Sequence, residues 1–342
     1  MGGDPEMSQL QTGEARGAGR TASAGQALGK LRSLGNPKVL IAYALAVLIF
    51  VAGQLISPGF GEFSNIMNVL NISALLGFIA LAQMLVVLSG GEGIDLSVGA
   101  MASLGAVMSS QIIGGLDGNL IQAVAIVLAV GFLIGCVSGV GISYFKVPPL
   151  VMTLAMASVI QGGALVYTNG QPKGMASPLL KELGVGRTAG IPNLVWLWIL
   201  IAVVAGIFLA RTKWGKLLYG LGTNRLTTEL SGVRTRVVRT IVYGASGAIS
   251  AIGGMLLLSY TGTAFLDIGG TYMLPTIIAV VIGGISLAGG LGSYNGTVAG
   301  AILLTSLSSI LVTLNMSEGG RQIVYGVILL LLLIAYGRQK TT

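Results

Sequence analysis

The amino-acid sequence predicts an all-α polytopic membrane protein with about ten transmembrane helices and both termini cytoplasmic. Three observations carry this expectation. Of 342 residues, 54% are hydrophobic and only 9% are charged, against roughly 25% charged in an ordinary soluble domain. The apolar residues gather into runs near the roughly twenty residues a helix needs to cross a bilayer. The Lys and Arg residues fall between those runs in a pattern that assigns each connection to a side.

Met1 to Lys38 is rich in Gly, Ala, Ser and Gln and has no apolar core. It is expected to be a disordered cytoplasmic tail, neither signal peptide nor span. The runs then follow at about Val39 to Ile56, Ile66 to Leu88, Leu96 to Ile113, Leu120 to Tyr144, Leu150 to Tyr167, Leu194 to Ala210, Thr240 to Ser259, Tyr272 to Leu287, Thr297 to Leu314 and Ile323 to Tyr336. This divides the chain into a tail (1–38), a transmembrane domain (39–337) and a C-terminal cytoplasmic tail (338–342).

An even number of spans puts the two ends on the same side as the loop after the sixth span. Arg16, Arg20, Lys30, Arg32 and Lys38 precede the first span, Lys146 follows the fourth, seven basic residues follow the sixth, and Arg338 and Lys340 follow the tenth. Fifteen of the nineteen Lys and Arg residues therefore share one side, which the positive-inside rule makes cytoplasmic. An odd count breaks this agreement.

The loop after the sixth span, Arg211 to Arg239, is the one long basic segment between apolar runs, with the single acid Glu229. Asn224 can cap a short helix by accepting a backbone N–H, and Gly232 can close it in the left-handed conformation. Between the caps, Leu226 and Leu230 lie four apart and share a face. One reading is a contact for a soluble partner; the other is a topology signal alone.

Four interruptions stand out. Ser89 to Gly99 holds Gly90, Gly91 and Gly93, which let the backbone leave the helix, and Asp95 and Ser97, which can cap the next one. It either borders a transport path, where broken helices are tolerated, or is a glycine-rich turn. Val147-Pro148-Pro149 is expected to end the fourth span. Asn169-Gly170-Gln171-Pro172 opens the longest outer loop, where Asn169 and Gln171 either meet a solute or docking protein or simply form the turn. After the eighth span come Gly283, Gly284, Ser286, Gly289, Gly290 and Gly292. No G-x-x-x-x-G-K-[ST] pattern and no lysine accompany them, so nucleotide binding is rejected in favour of helix packing at a hinge or subunit contact. Gly289-Gly290-x-Gly292 echoes Gly90-Gly91-x-Gly93.

Composition excludes several classes. The net charge of +8 is explained by topology, since no nucleic-acid motif accompanies it. Histidine is absent and Cys136 is the only cysteine, so an internal disulfide, a His/Cys metal site and histidine chemistry are not expected. The 54 glycines point to a bundle whose helices approach closely.

In order along the chain, Gly93-Ile94-Asp95-Leu96-Ser97-Val98-Gly99, Val147-Pro148-Pro149 with Thr153-Leu154, Asn169-Gly170-Gln171-Pro172, Gly222-x-Asn224 with Ser231-Gly232-Val233, and Gly283-Gly284-x-Ser286-Leu287-x-Gly289-Gly290-x-Gly292 resemble the membrane permease of bacterial ribose-type sugar ABC importers. The likeness covers roughly Val39 to Tyr336. It implies a permease dimer of like or unlike chains, a cytoplasmic ATPase with two fused nucleotide-binding halves that binds the ATP and Mg, and an extracytoplasmic sugar-binding protein. No cofactor or metal belongs to this chain on that reading, and no catalytic residue. The resemblance makes Asn224, Leu226, Thr227, Thr228, Glu229, Leu230, Ser231 and Gly232 the coupling helix seated in the ATPase. It leaves Asp95, Ser97, Asn169, Gln171 and Ser286 as candidates for the path or gate, and Gly93, Gly99, Pro148, Pro149, Gly283, Gly284, Gly289 and Gly290 as hinge and packing positions. The chain departs from the pattern at Glu92, at Leu150 where an aromatic is usual, and at Thr227-Thr228 where two alanines are usual.

The expected function is thus the inner-membrane permease of an ATP-driven importer for a monosaccharide such as a pentose or hexose. An ion-coupled secondary transporter needs ionisable residues inside its spans, and Asp95, at a span edge, is the best candidate. An intramembrane transferase needs an acid/base cluster, and Glu92 and Asp95 are the only close acids. An ABC permease for amino acids has the same architecture.

Overall fold

The computed structural model describes residues 37–338, so residues 1–36 and 339–342 of the expected tails lie outside the described residues. The helices are α1 (Pro37–Ile56), α2 (Phe63–Leu88), α3 (Val98–Ile113), α4 (Leu120–Ser143), α5 (Pro149–Thr168), α6 (Pro178–Val185), α7 (Asn193–Arg211), α8 (Lys213–Thr223), α9 (Arg225–Leu230), α10 (Thr235–Thr261), α11 (Met273–Ile282), α12 (Tyr294–Thr313) and α13 (Glu318–Arg338). The chain is a mostly α-helical, multi-pass membrane protein. Among the described residues, seven helices are long and apolar enough to cross a bilayer, and two further apolar helices, Val98–Ile113 and Gly270–Ile282, are shorter.

Burial sorts these helices into a centre and a periphery. In α2 and α10, 83% and 72% of the most apolar stretch is buried by the rest of the chain, whereas in α1, α4, α5 and α7 the share is 17–22%. The outer four therefore turn apolar side chains outward, as lipid-facing helices must, while α2 and α10 form the core.

Glycine allows α10 to sit there. A Cβ at Gly131 would meet the Gly247 carbonyl, one at Gly135 would collide with the Tyr243 carbonyl, and one at Gly139 would press on Thr240. These three lie four apart on α4, so one glycine ridge lets two backbones touch. Gly105 and Gly254 do the same between α3 and α10, against Ala251 and Ala102. On the far side, Val39, Ala42 and Ala46 of α1 pack on Ala299 and Leu303 of α12.

Several sequence expectations need correction. The third span begins at Val98 and not Leu96, and the eighth ends at Ile282 and not Leu287. Gly284, at φ +86°, turns the chain where Tyr272 to Leu287 was expected to continue. The fourth span ends at Ser143 before the prolines; Lys146 turns at φ +57°, and Pro148 and Pro149 start α5 as its N-cap and first residue. Proline suits a helix start because the first N–H groups have no partner there. The outer loop after Asn169 is also structured: Ser177 caps α6, and Arg187–Thr188 (β1) pairs with Ile191–Pro192 (β2) across a turn at Ala189 and Gly190. Finally, α10 starts at Thr235, not Thr240, so Arg236 and Arg239 belong to the helix.

Candidate functional site: the basic segment and the two helix breaks

Arg211 to Arg239 folds as two helices and the first turns of a third. Thr212 opens α8 by accepting the Gly215 N–H at 3.0 Å. Asn224 alone separates α8 from α9, and its Oδ1 accepts the Thr227 N–H at 3.0 Å. Thr228 and Ser231 donate their hydroxyls to the carbonyls of Asn224 and Thr227, each at 2.9 Å. Gly232, at φ +85°, lies just past the helix end, and the Thr235 hydroxyl donates to Glu229 at 3.3 Å. Asn224, Thr228, Ser231 and Glu229 are thus engaged within the turn, while its leucines are offered outward: Leu226 is 69% exposed and Leu230 is 80% exposed. α8 was not expected from the sequence, although its apolar face, with Leu218 and Leu221 buried, is what docks the segment on the bundle.

The end of α8 leads straight to both helix breaks. The first runs from Ser89 to Ser97 and turns through Gly90, Gly91 and Glu92, all at positive φ; the second runs from Gly283 to Ser293. They touch: the Gly290 N–H donates to the Leu88 carbonyl at 2.9 Å. Gly222 lies between them, where a Cβ would collide with the Leu88 carbonyl and the Gly290 nitrogen. The Tyr219 hydroxyl donates to the Gly292 carbonyl at 2.8 Å, and Arg239 of α10 donates to the Gly90 carbonyl at 2.9 Å. Gly93 packs on the Val86 carbonyl, Gly99 on the Gly269 carbonyl, and Gly283 against Gly296 of α12.

Asp95 anchors the first break from inside. It is 4% exposed, and its carboxylate accepts the Ser97 N–H at 2.9 Å, the Ser97 hydroxyl at 2.5 Å and the Ser246 hydroxyl of α10 at 3.0 Å. Gln83, oriented by its partners, donates to the Asp95 carbonyl at 2.8 Å and accepts its N–H at 3.3 Å. From α5, Thr153 accepts the Leu96 N–H at 3.1 Å and donates to the Pro149 carbonyl at 2.9 Å. Ser97 holds the N-cap position of α3 but makes no side-chain cap bond, so the expectation that Asp95 and Ser97 cap the helix is replaced by a network tying the break to α2, α5 and α10. Glu92, by contrast, is exposed.

The five path or gate candidates are not brought together. Asp95 and Ser97 are buried and satisfied. Ser286 holds its own turn: its N–H donates to the Leu291 carbonyl at 2.9 Å and its Oγ accepts the Ala288 N–H at 3.2 Å. Asn169 and Gln171 are exposed at the other end of α5, about 24 Å along the helix from Thr153, which meets Leu96, at 1.5 Å per residue. Asn169 is the left-handed C-cap of α5, the turn-forming alternative. The sequence reading missed Gln83, Thr153, Gly222, Arg239 and Ser246 as site residues. Thr153 and Gly222 lay inside motifs of the family resemblance and Arg239 closed the basic segment, whereas Gln83 and Ser246 carried no signal.

Comparison with known proteins bears on what this arrangement serves. The family model described as "Branched-chain amino acid transport system / permease component" matches residues 65–335. The ribose import permease protein of Escherichia coli (strain K12) is 35% identical over 301 residues, covering 87% of this chain and 92% of that one. That of Bacillus subtilis (strain 168) is 33% identical over 292 residues, 84% and 88% of the two chains. The autoinducer 2 import system permease protein of Escherichia coli (strain K12 / DH10B) is 29% identical over 310 residues, 91% and 90%. No solved structure matches the chain significantly.

Proposed function

Because the chain belongs to the family of permease components of branched-chain amino acid transport systems, we propose that it is the membrane subunit of an ATP-driven importer whose cargo is a monosaccharide, a pentose or hexose. Two permease chains, alike or different, form the path. A cytoplasmic ATPase with two fused nucleotide-binding halves binds ATP and Mg, and an extracytoplasmic sugar-binding protein delivers the cargo. The sugar reading is supported by relatives named as ribose import permeases that align over about nine-tenths of their length.

In this reading all ten apolar segments cross the bilayer and both termini are cytoplasmic. Sixteen residues in α3 reach only about 24 Å, short of a hydrocarbon core of about 30 Å. The breaks beside α3 and α11 complete those crossings, and the burial of Gly90, Gly93 and Asp95 in one and of Gly284, Gly289 and Gly290 in the other suits backbone that leaves the helix at membrane depth.

The observation that carries the mechanism is the position of α9: an exposed leucine pair on a capped turn, one residue from a helix whose last glycine, Gly222, lies between both breaks. When the ATPase halves close, α9 moves with them, α8 follows through Asn224, and Gly222 shifts the two breaks together. Asp95, with three donors already on its carboxylate, is the only buried acid among the described residues. That favours an energy source outside the membrane over an ion site within it.

Co-reconstitution in proteoliposomes tests this. Uptake of labelled pentose or hexose that needs the ATPase and ATP supports it. Uptake by this chain alone on an ion gradient replaces it with secondary transport, and ATP-driven uptake of a branched-chain amino acid but no sugar replaces the cargo.

A further inference from the structure

An apolar groove runs down the outside of the bundle between α7 and α10, floored by Leu81 and Leu85 of α2, with a volume of about 560 Å³. Its wall residues on α10 extend from Val238 to Ile249, about 16 Å along the helix at 1.5 Å per residue. On α7, the wall residues Leu200, Val204 and Phe208 are 60%, 57% and 41% exposed. A hydrocarbon-lined channel of this length at membrane depth is filled by a chain of like chemistry, since water has no partners there.

The end of the groove carries the second observation. Trp214, the first tryptophan after the span, lines it and is 48% exposed, the place tryptophan takes at a membrane interface. Arg211, Lys213 and Lys216, within three residues of it in the chain, are exposed, and from Leu183 to Thr228 the chain has no Asp or Glu. The nearest following acid, Glu229, accepts from Thr235. Basic residues at the mouth of a cleft between membrane helices recognise anionic headgroups.

We propose that this groove is a binding site for an anionic phospholipid, with an acyl chain between α7 and α10 and the phosphate headgroup held by Arg211 and Lys213. The site lies against α8, so the lipid braces the helix that leads into α9 from its outer side. This assignment does not depend on the nature of the cargo.

Tryptophan quenching tests it on the full chain in phosphatidylcholine vesicles, with brominated phosphatidylglycerol or brominated phosphatidylcholine as probe. The signal of Trp214 is the difference between the native chain and Trp214→Phe. Brominated phosphatidylglycerol is expected to half-quench Trp214 at a mole fraction at least about five-fold lower than brominated phosphatidylcholine, the preference one nearby basic residue supplies. Arg211→Gln with Lys213→Gln, both on the surface, is expected to bring the two curves together. Equal quenching by the two probes in the native chain, no quenching by either because a protein partner covers the groove, or an undiminished preference in the double variant each overturns the proposal.

Discussion

The Gly290 N–H donates to the Leu88 carbonyl at 2.9 Å, so the break that follows α2 and the break that precedes α12 are one joined structure. Gly222 is wedged into that joint from the end of α8. In the proposed coupling, a push on α9 reaches both breaks through the backbone contacts of Gly222.

Gly222→Ala places a methyl group on the Leu88 carbonyl and the Gly290 nitrogen. Overpacking of this kind costs about 1–3 kcal/mol, and the joint has to open to accept it. The expected outcome is an inserted protein with lowered thermal stability and ATP-driven uptake largely lost. Gly118→Ala, where nothing lies within 4 Å, is expected to stay within about 0.5 kcal/mol of the native chain. Thermal unfolding in detergent, read beside uptake, checks both.

Leu226→Asp with Leu230→Asp alters two side chains that are 69% and 80% exposed. Their removal takes nothing from the core, so stability is expected to change by no more than about 0.5 kcal/mol. Association with the ATPase and transport are both expected to be abolished. Co-purification with the ATPase together with uptake is the measurement, and normal transport by the double variant would remove α9 from its assigned role.

Asp95→Ala leaves the Ser97 N–H and the Ser97 and Ser246 hydroxyls without their acceptor in a buried site. Each unsatisfied group costs about 1–3 kcal/mol. Asp95→Asn keeps one acceptor oxygen, and its amide can donate to a serine hydroxyl, so it is expected to destabilise less than alanine. Uptake is expected to follow the same order if the break moves during transport. Uptake by Asp95→Asn equal to that of the native chain would reduce Asp95 to a structural anchor.

What the sequence reveals and what it hides follow from range. The cap of α9 is legible because Asn224 and Thr227 are three residues apart and Gly232 has one conformational use. The joint was visible only as an echo between Gly90-Gly91-x-Gly93 and Gly289-Gly290-x-Gly292, since nothing local says that the two halves touch. Ser246 looked like one more small residue in a span, and Gln83 like one polar residue in an apolar run, until folding set both on Asp95. α8 was hidden for another reason: its three glycines, Gly215, Gly220 and Gly222, give a weak helix signal, and it is held by Leu218 and Leu221 against the bundle. The two shortened helices were read as full spans because hydropathy counts Leu96 and Ile285 as apolar and does not register the glycine turns beside them.

The central claim is that α9 lies in the cytoplasm and is gripped there by the ATPase. A cysteine at Arg225, in a chain whose only native cysteine, Cys136, has been replaced by serine, tests it directly with a membrane-impermeant maleimide. The expected result is no labelling from outside intact cells, labelling in inside-out vesicles stripped of the ATPase, and protection when the ATPase is added back. Labelling from outside intact cells would contradict the account.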